Sequence, residues 1–156
     1  MTIAAPQITS LVALTLPGTP DSAGKARFHI RVALSRHKLG DYADDVETVT
    51  SELVTNAITH AGAATFGFGI VRLEGTGALA VIVIDPSPRP PVKRHLPGDT
   101  EHGRGLHIVD GLSAAWGWRP LIPARLCTRS LLGRSEAMDA ISDLPMLHDI
   151  DADYTP

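Results

Sequence analysis

Glu52 and Asn56 are the two side chains whose types and spacing most readily do chemistry together. Four residues apart on a helix, they lie about 40° from each other around the axis and one turn along it. A carboxylate can orient or deprotonate a water or hydroxyl. An amide oxygen is the kind of hard donor that a hydrated Mg²⁺ accepts while it keeps several waters. His60 continues the same row one turn on. Taken alone, the Glu52/Asn56 pair also suits a plain solvated helix face. Two further features point the same way. Asp85 follows the apolar run Ala78–Ile84. A carboxylate at such a strand end can accept a hydrogen bond from an exocyclic amine such as that of adenine, and it can equally start the turn at Pro86. Gly103-Arg104-Gly105 precedes a short helical pattern. Backbone N–H groups and a positive helix end there make a usable phosphate site, although short glycine patterns mostly serve tight turns.

These residues must be held by the elements around them. The segment Ser51–Ala61, S-E-L-V-T-N-A-I-T-H-A, sits in a run from Tyr42 to Gly62. Its apolar residues, Val46, Val49, Leu53, Val54, Ala57, Ile58 and Ala61, recur in steps of three and four, as on one buried helical stripe. The other side carries Thr48, Glu52, Thr55, Asn56, Thr59 and His60 instead of Lys and Arg. Thr and Asn are mediocre helix formers, and short polar groups of this kind suit a cleft. Gly62 is a natural C-cap.

Upstream, residues 1–9 read as a loose leader and Ser10–Leu16 as a short strand closed by Pro17-Gly18-Thr19-Pro20. Asp21 or Ser22 can cap a helix running to about Leu39, with a broad stripe of Ala23, Ala26, Phe28, Ile30, Val32, Ala33 and Leu34. Gly40-Asp41 ends it. Downstream, Thr65–Leu73 alternates, with Phe66, Phe68 and Ile70 on one face, and Gly75-Thr76-Gly77 is a hairpin-like turn. Ala78–Ile84 is continuously apolar, as in a strand covered on both faces. Pro86–Gly103 is a Pro-rich polar loop, long enough to be a functional lid. A short helix is expected over Leu106–Ala115, and two more strands over Ala115–Trp118 and Ala124–Leu132. From Ser135 the chain is acidic and reads as a disordered tail.

The chain has 156 residues, 44% hydrophobic and 20% charged, enough for one domain with a real core. A net charge of −3 argues against bulk binding to nucleic acid or an anionic membrane. The lone Cys127 forbids an internal disulfide, the longest apolar run is too short to span a bilayer, and no basic residue precedes Lys25 as a secretory signal would require. A cytoplasmic location is the expectation. Other patterns carry less. His95, His102 and His107 with Asp99 and Glu101 match no standard zinc spacing. Asp149-x-Asp151-x-Asp153 lacks the glycine and closing glutamate of a calcium loop. Cys127, Trp116 and Trp118 read as strand packing residues.

The order of the pieces is more specific than any one of them. E-x-x-x-N on a helix, two strands, Asp at a strand end, a long loop and G-x-G at a helix start resemble the GHKL ATP-binding superfamily of gyrase, a heat-shock chaperone, histidine kinases and mismatch-repair ATPases. More closely, L-P-G-T-P-D-S-A-G-K-A-R, S-E-L-V-T-N-A-I-T-H-A, D-P-S-P-R-P-P and E-H-G-R-G-L-H-I-V-D-G-L-S-A-A-W-G look like the anti-sigma-factor type of serine/threonine kinase of actinobacteria. The resemblance covers roughly Leu16 to Trp118. It implies an α+β two-layer sandwich of the Bergerat type, a mixed, mostly antiparallel sheet covered on one face by about three helices, over residues 10–133. It further implies ATP and Mg²⁺ as cofactors. Asn56 would ligate Mg²⁺ between the phosphates, Glu52 would be the general base or position the attacking hydroxyl, and Asp85 would bind the adenine amine. Gly103, Arg104 and Gly105 would wrap the phosphates. His60 drops out of the row as a helix-end residue.

Two positions depart from the family pattern. Ser87 stands where a glycine often follows the adenine aspartate, and the last strand reads P-A-R-L-C-T-R-S-L-L, with Thr128 between Arg125 and Arg129 where Gly-Lys-Thr or Gly-Thr is usual. The implied function is a protein serine/threonine kinase acting on an anti-sigma-factor antagonist, with a sigma factor as a further partner and a homodimer left open. The alternative is a non-catalytic ATP-binding switch. A sensor histidine kinase would need a dimerising phosphoacceptor helix pair, a gyrase- or chaperone-type machine a second domain with a catalytic lysine, and a DNA binder a basic surface.

Overall fold

Apolar patterning translates into five strands and three helices in a computed structural model. It describes residues 7–59, 62, 64–75, 78–85, 105–113, 115–121 and 125–132. For 105–107, 110 and the last two segments only the backbone is described. In chain order the elements are β1 (Ile8–Pro17), α1 (Ser22–Arg36), a 3-10 turn (Gly40–Tyr42) and α2 (Ala43–Thr59). Then come β2 (Thr65–Leu73), β3 (Ala78–Asp85), α3 (Gly105–Leu112), β4 (Ala115–Leu121) and β5 (Arg125–Leu132). The strands form one sheet in the order β1-β2-β3-β5-β4. All four pairings are antiparallel, where a mixed sheet was expected. Two layers, sheet and helices, make the α+β sandwich.

The layers meet through Val12, Leu16, Phe66, Phe68, Ile70, Leu79, Val81 and Val83 on the sheet. They are met by Ile30 and Leu34 of α1, Val46, Val49, Leu53, Val54 and Ala57 of α2, and Val109 of α3. Phe66 and Phe68 are fully buried, as their alternation predicts. All of β3 is buried, as its unbroken apolar run predicts. α1 lies against β1 and α2, and α2 against β3 and α3.

Three details differ from the sequence expectations. β1 begins at Ile8 and carries a bulge between Ser10 and Val12. α1 stops at Arg36, short of Leu39. Lys38 takes a left-handed backbone (φ 58°), and Leu39 N–H bonds back to Leu34 O at 2.8 Å. This is the Schellman stop expected of a glycine, here made by lysine before Gly40 is reached. Phe28, counted in the α1 stripe, is 66% exposed. The real stripe is narrower, with Ser22, Ala26, Ile30, Ala33 and Leu34 buried. Gly62 has φ 59°, the left-handed geometry a chain leaving a helix requires. Among the described residues no helix is long and apolar enough to cross a membrane.

Candidate nucleotide-binding site

α2 begins with Asp44 and Asp45 in its first turn, where acidic side chains offset the positive helix end. Its position is set from α1. Arg31 bonds Glu47 through Nη2 to Oε2 at 2.8 Å, and Arg27 Nη1 donates to Ser51 Oγ at 3.2 Å. These contacts fix the α1-facing edge of α2. Glu52 and Asn56 lie about 100–180° around the helix from that edge. They flank the core stripe on its other side, and both are half-buried. Thr48, Thr55 and Thr59 between the two edges are exposed. The polar side read from the sequence is thus two environments, a solvated threonine row and a partly covered Glu52/Asn56 row.

Burial shifts the Glu52 pKa above its ordinary value of 4.5. The cause is desolvation of the charged form. Its carboxylate is therefore a stronger base than a solvated glutamate.

Chain connectivity brings Asp85 to the same end of the sandwich as Asn56. Five residues join the end of α2 at Thr59 to the start of β2 at Thr65, so those two ends coincide. Near that end Gly67 of β2 pairs with Ile84, next to Asp85 at the close of β3. Asp85 is 8% exposed. The turn after β1 closes the same end. Gly18 N–H donates to Ala64 O at 2.8 Å, Ser22 Oγ donates to Pro17 O, and Thr19 Oγ1 donates to Asp21 Oδ1 at 2.6 Å. Of the two capping candidates, Asp21 takes the N-cap position without a side-chain cap bond. The P-G-T-P-D-S signature signalled this turn, but nothing in it signalled the tie to Ala64.

α3 arrives from the opposite direction. Its last residue, Leu112, is followed closely by Ala115, which pairs with Leu131 beside the Leu79/Leu132 pair. That is the far end of the sheet. Gly105 lies at the other end of about 12 Å of helix, which packs against α2. Gly105 thus opens α3, whereas Gly103 and Arg104 lie outside the described residues, as do His60, Ser87, the Pro86–Gly103 loop, the zinc-like histidines at 95 and 102, and the acidic tail. His107 is described by backbone alone. In the last strand, Thr128 pairs with Val83 and Leu126 with Asp85, so Thr128 is two residues along from the strand end that Asp85 occupies. Cys127 pairs with Ile84, within β5 as expected. Among the described residues no group of three His, Cys, Asp or Glu is placed to hold a metal ion.

The arrangement offers a basic carboxylate, an amide oxygen one turn away and a buried carboxylate at one end of the layers. α3, which Gly105 opens, packs against the same helix α2. Comparison with known proteins identifies the type of domain. The family model for the histidine kinase-like ATPase domain matches residues 16–120. Solved structures match as well, among them the RsbU and RsbW domains of Rv1364c from Mycobacterium tuberculosis, with a TM-score of 0.53 and 18% identity over 78% of this chain. The chain spans about a third, 32%, of that structure's length, and at this identity the likeness is one of fold. No curated protein matches the chain. The match over residues 16–120, two thirds of the chain, places it in the family of histidine kinase-like ATPase domains.

Proposed function

We propose that this chain binds Mg-ATP through residues 10–133 and acts as a regulator of the anti-sigma-factor type. In this reading it transfers the γ-phosphoryl group to a serine or threonine of a protein antagonist in the cytoplasm. The observation that carries the reading is the half-buried Glu52 of raised basicity one turn from Asn56, on the edge of α2 away from α1.

Each residue has a task in this reading. Asp85 accepts a hydrogen bond from the adenine amine, and its burial excludes water from that contact. The N–H groups opening α3 at Gly105, with Gly103 and Arg104 before it, face the phosphates. Glu52 holds the attacking hydroxyl and takes its proton. The donor set suits Mg²⁺, because Asn56 and Glu52 offer hard oxygens on a half-buried edge, where a metal completes its shell with water and phosphate oxygens. Asn56 would hold it directly, and when bound it supplies neutralisation of phosphate charge. Catalysis is then mainly positioning and electrostatics.

Radiolabel transfer from ATP to a candidate antagonist tests the reading, with ATP binding measured in parallel. Wild type is expected to transfer label, and Glu52→Gln to bind ATP while losing transfer by about 10²–10⁴-fold. ATP binding without transfer by wild type would assign the chain instead as a switch that acts by binding alone.

A further inference from the structure

The side of α1 that faces away from the core carries two residues the fold does not ask for. Phe28 is 66% exposed, although Ala26, Ile30, Ala33 and Leu34 on the opposite side are buried. Its ring meets the His29 imidazole edge-on, with centroids 5.6 Å apart, a contact that steadies it in the exposed position. Gly24 stands one turn before Phe28 on the same side and is also exposed. A glycine within a helix costs stability relative to alanine. Packing gives no reason for it here, because among the described residues an added Cβ would meet only Arg27 Nη2, at an ordinary 3.7 Å.

A bare turn beside an exposed ring is a hole beside a knob, the unit by which helices interlock. The row continues through half-buried Val32 to exposed Ser35, so only short side chains flank the ring along the helix. The one-turn spacing of Gly24 and Phe28 matches the spacing of apolar side chains on the face of another helix.

Charge sets what that helix must be. Arg27 lies about 100° to one side of Phe28 around α1, and Arg36 about 80° to the other. Neither forms an ion pair among the described residues, and Arg27 donates only to the neutral Ser51 hydroxyl, at 3.2 Å. Lys25 and Arg31, nearer the ring, are already met by Asp21 and by Asp44 and Glu47. From Ser22 to Lys38 the sequence holds no acidic residue. A second copy of this face would set arginines against arginines. An exposed aromatic residue with arginines around it is the composition enriched at protein-docking sites.

We propose that the outward face of α1 docks an acidic amphipathic helix of another protein. Phe28 is the anchor, an apolar side chain of the partner sits over Gly24, and its carboxylates meet Arg27 and Arg36. None of these residues is assigned to the nucleotide, so docking can be read without ATP.

The probe is a fluorescein-labelled helical peptide with leucines along one face and glutamates on the rest, titrated into the full chain and followed by anisotropy. A peptide with lysine in place of glutamate is the control. Wild type should bind the glutamate peptide and not the lysine one, and more weakly as salt rises. Phe28→Ser should weaken binding at least about tenfold and leave the melting temperature close to wild type. Gly24→Ala should weaken binding by a similar factor while raising the melting temperature, a pair of signs that a residue serving the fold alone would not show. Arg27→Glu combined with Arg36→Glu should abolish binding of the glutamate peptide. No binding by wild type, a preference for the lysine peptide, or binding indifferent to Phe28→Ser or Gly24→Ala would overturn the proposal. Self-association of wild type that Phe28→Ser abolishes would overturn it too, by giving the face to a second copy of the chain.

Discussion

Glu52 concentrates the chemistry and a stability cost in one side chain. Its pKa is raised by burial, so the folded chain binds a proton more readily there than the unfolded chain does. The stabilising contribution of the protonated form is fully present below 4.5 and is lost as pH rises through the raised folded-state value. At neutral pH the desolvated charge is a net cost. Glu52→Gln is therefore expected to raise the melting temperature at neutral pH, by a margin that shrinks as pH is lowered toward 4.5. Melts of both proteins across that range check the sign, and a gain independent of pH would remove burial as the cause. Thr50 is a second costly residue. It is fully buried on α2, and its Oγ1 has no hydrogen-bond partner. Valine keeps its shape without the hydroxyl, so Thr50→Val should stabilise the fold by about 1 kcal/mol in denaturant titrations. The α2 periodicity could not reveal this, because a threonine adjoining the apolar stripe looks the same whether it faces solvent or core. Glu52 and Asn56 were legible because their types are unusual for a free helix face. That they are half-buried was not, because burial depends on elements far along the chain, such as β3 and α3, that pack against α2.

At the scale of elements, strong local signals were read correctly and long-range ones were not. The unbroken run of β3 and the alternation of Phe66, Phe68 and Ile70 found their strands within a residue or two. The placement of β5 between β3 and β4 had no local signal, since strand order follows a crossover and not sequence proximity. The end of α1 was misplaced because glycine is the usual left-handed residue and Lys38 takes that role here. That substitution is costly, as a left-handed conformation crowds a Cβ. Lys38→Gly should accordingly stabilise the protein by about 0.5–1 kcal/mol, read as a rise in melting midpoint. No gain would mean that the lysine side chain compensates through contacts of its own. The α1–α2 ion pair of Arg31 and Glu47 is a lesser factor. With Arg31 60% exposed, it contributes less than about 1 kcal/mol, whereas burial of Ile30 and Leu34 contributes roughly 1.5–3 kcal/mol each.

For the whole molecule, the two layers serve to bring distant residues to one end. β3 delivers Asp85, α2 carries Glu52 and Asn56, and α3 packs against α2. The order of motifs along the chain made this family recognisable before any geometry was known, because that order follows the order of the elements, α2, β2, β3 and α3, along the chain. The remaining candidates, Gly103 and Arg104, belong to the proposal through that same order. The central claim, that Asn56 holds the metal of a bound Mg-ATP, is tested most directly by titrating ATP with and without Mg²⁺ into wild type and Asn56→Ala. Wild type should bind ATP more tightly with Mg²⁺ than without it, and Asn56→Ala should lose that Mg²⁺-dependent gain while its melting temperature stays close to wild type. Binding of Mg-ATP by Asn56→Ala as tight as that of wild type would contradict the account.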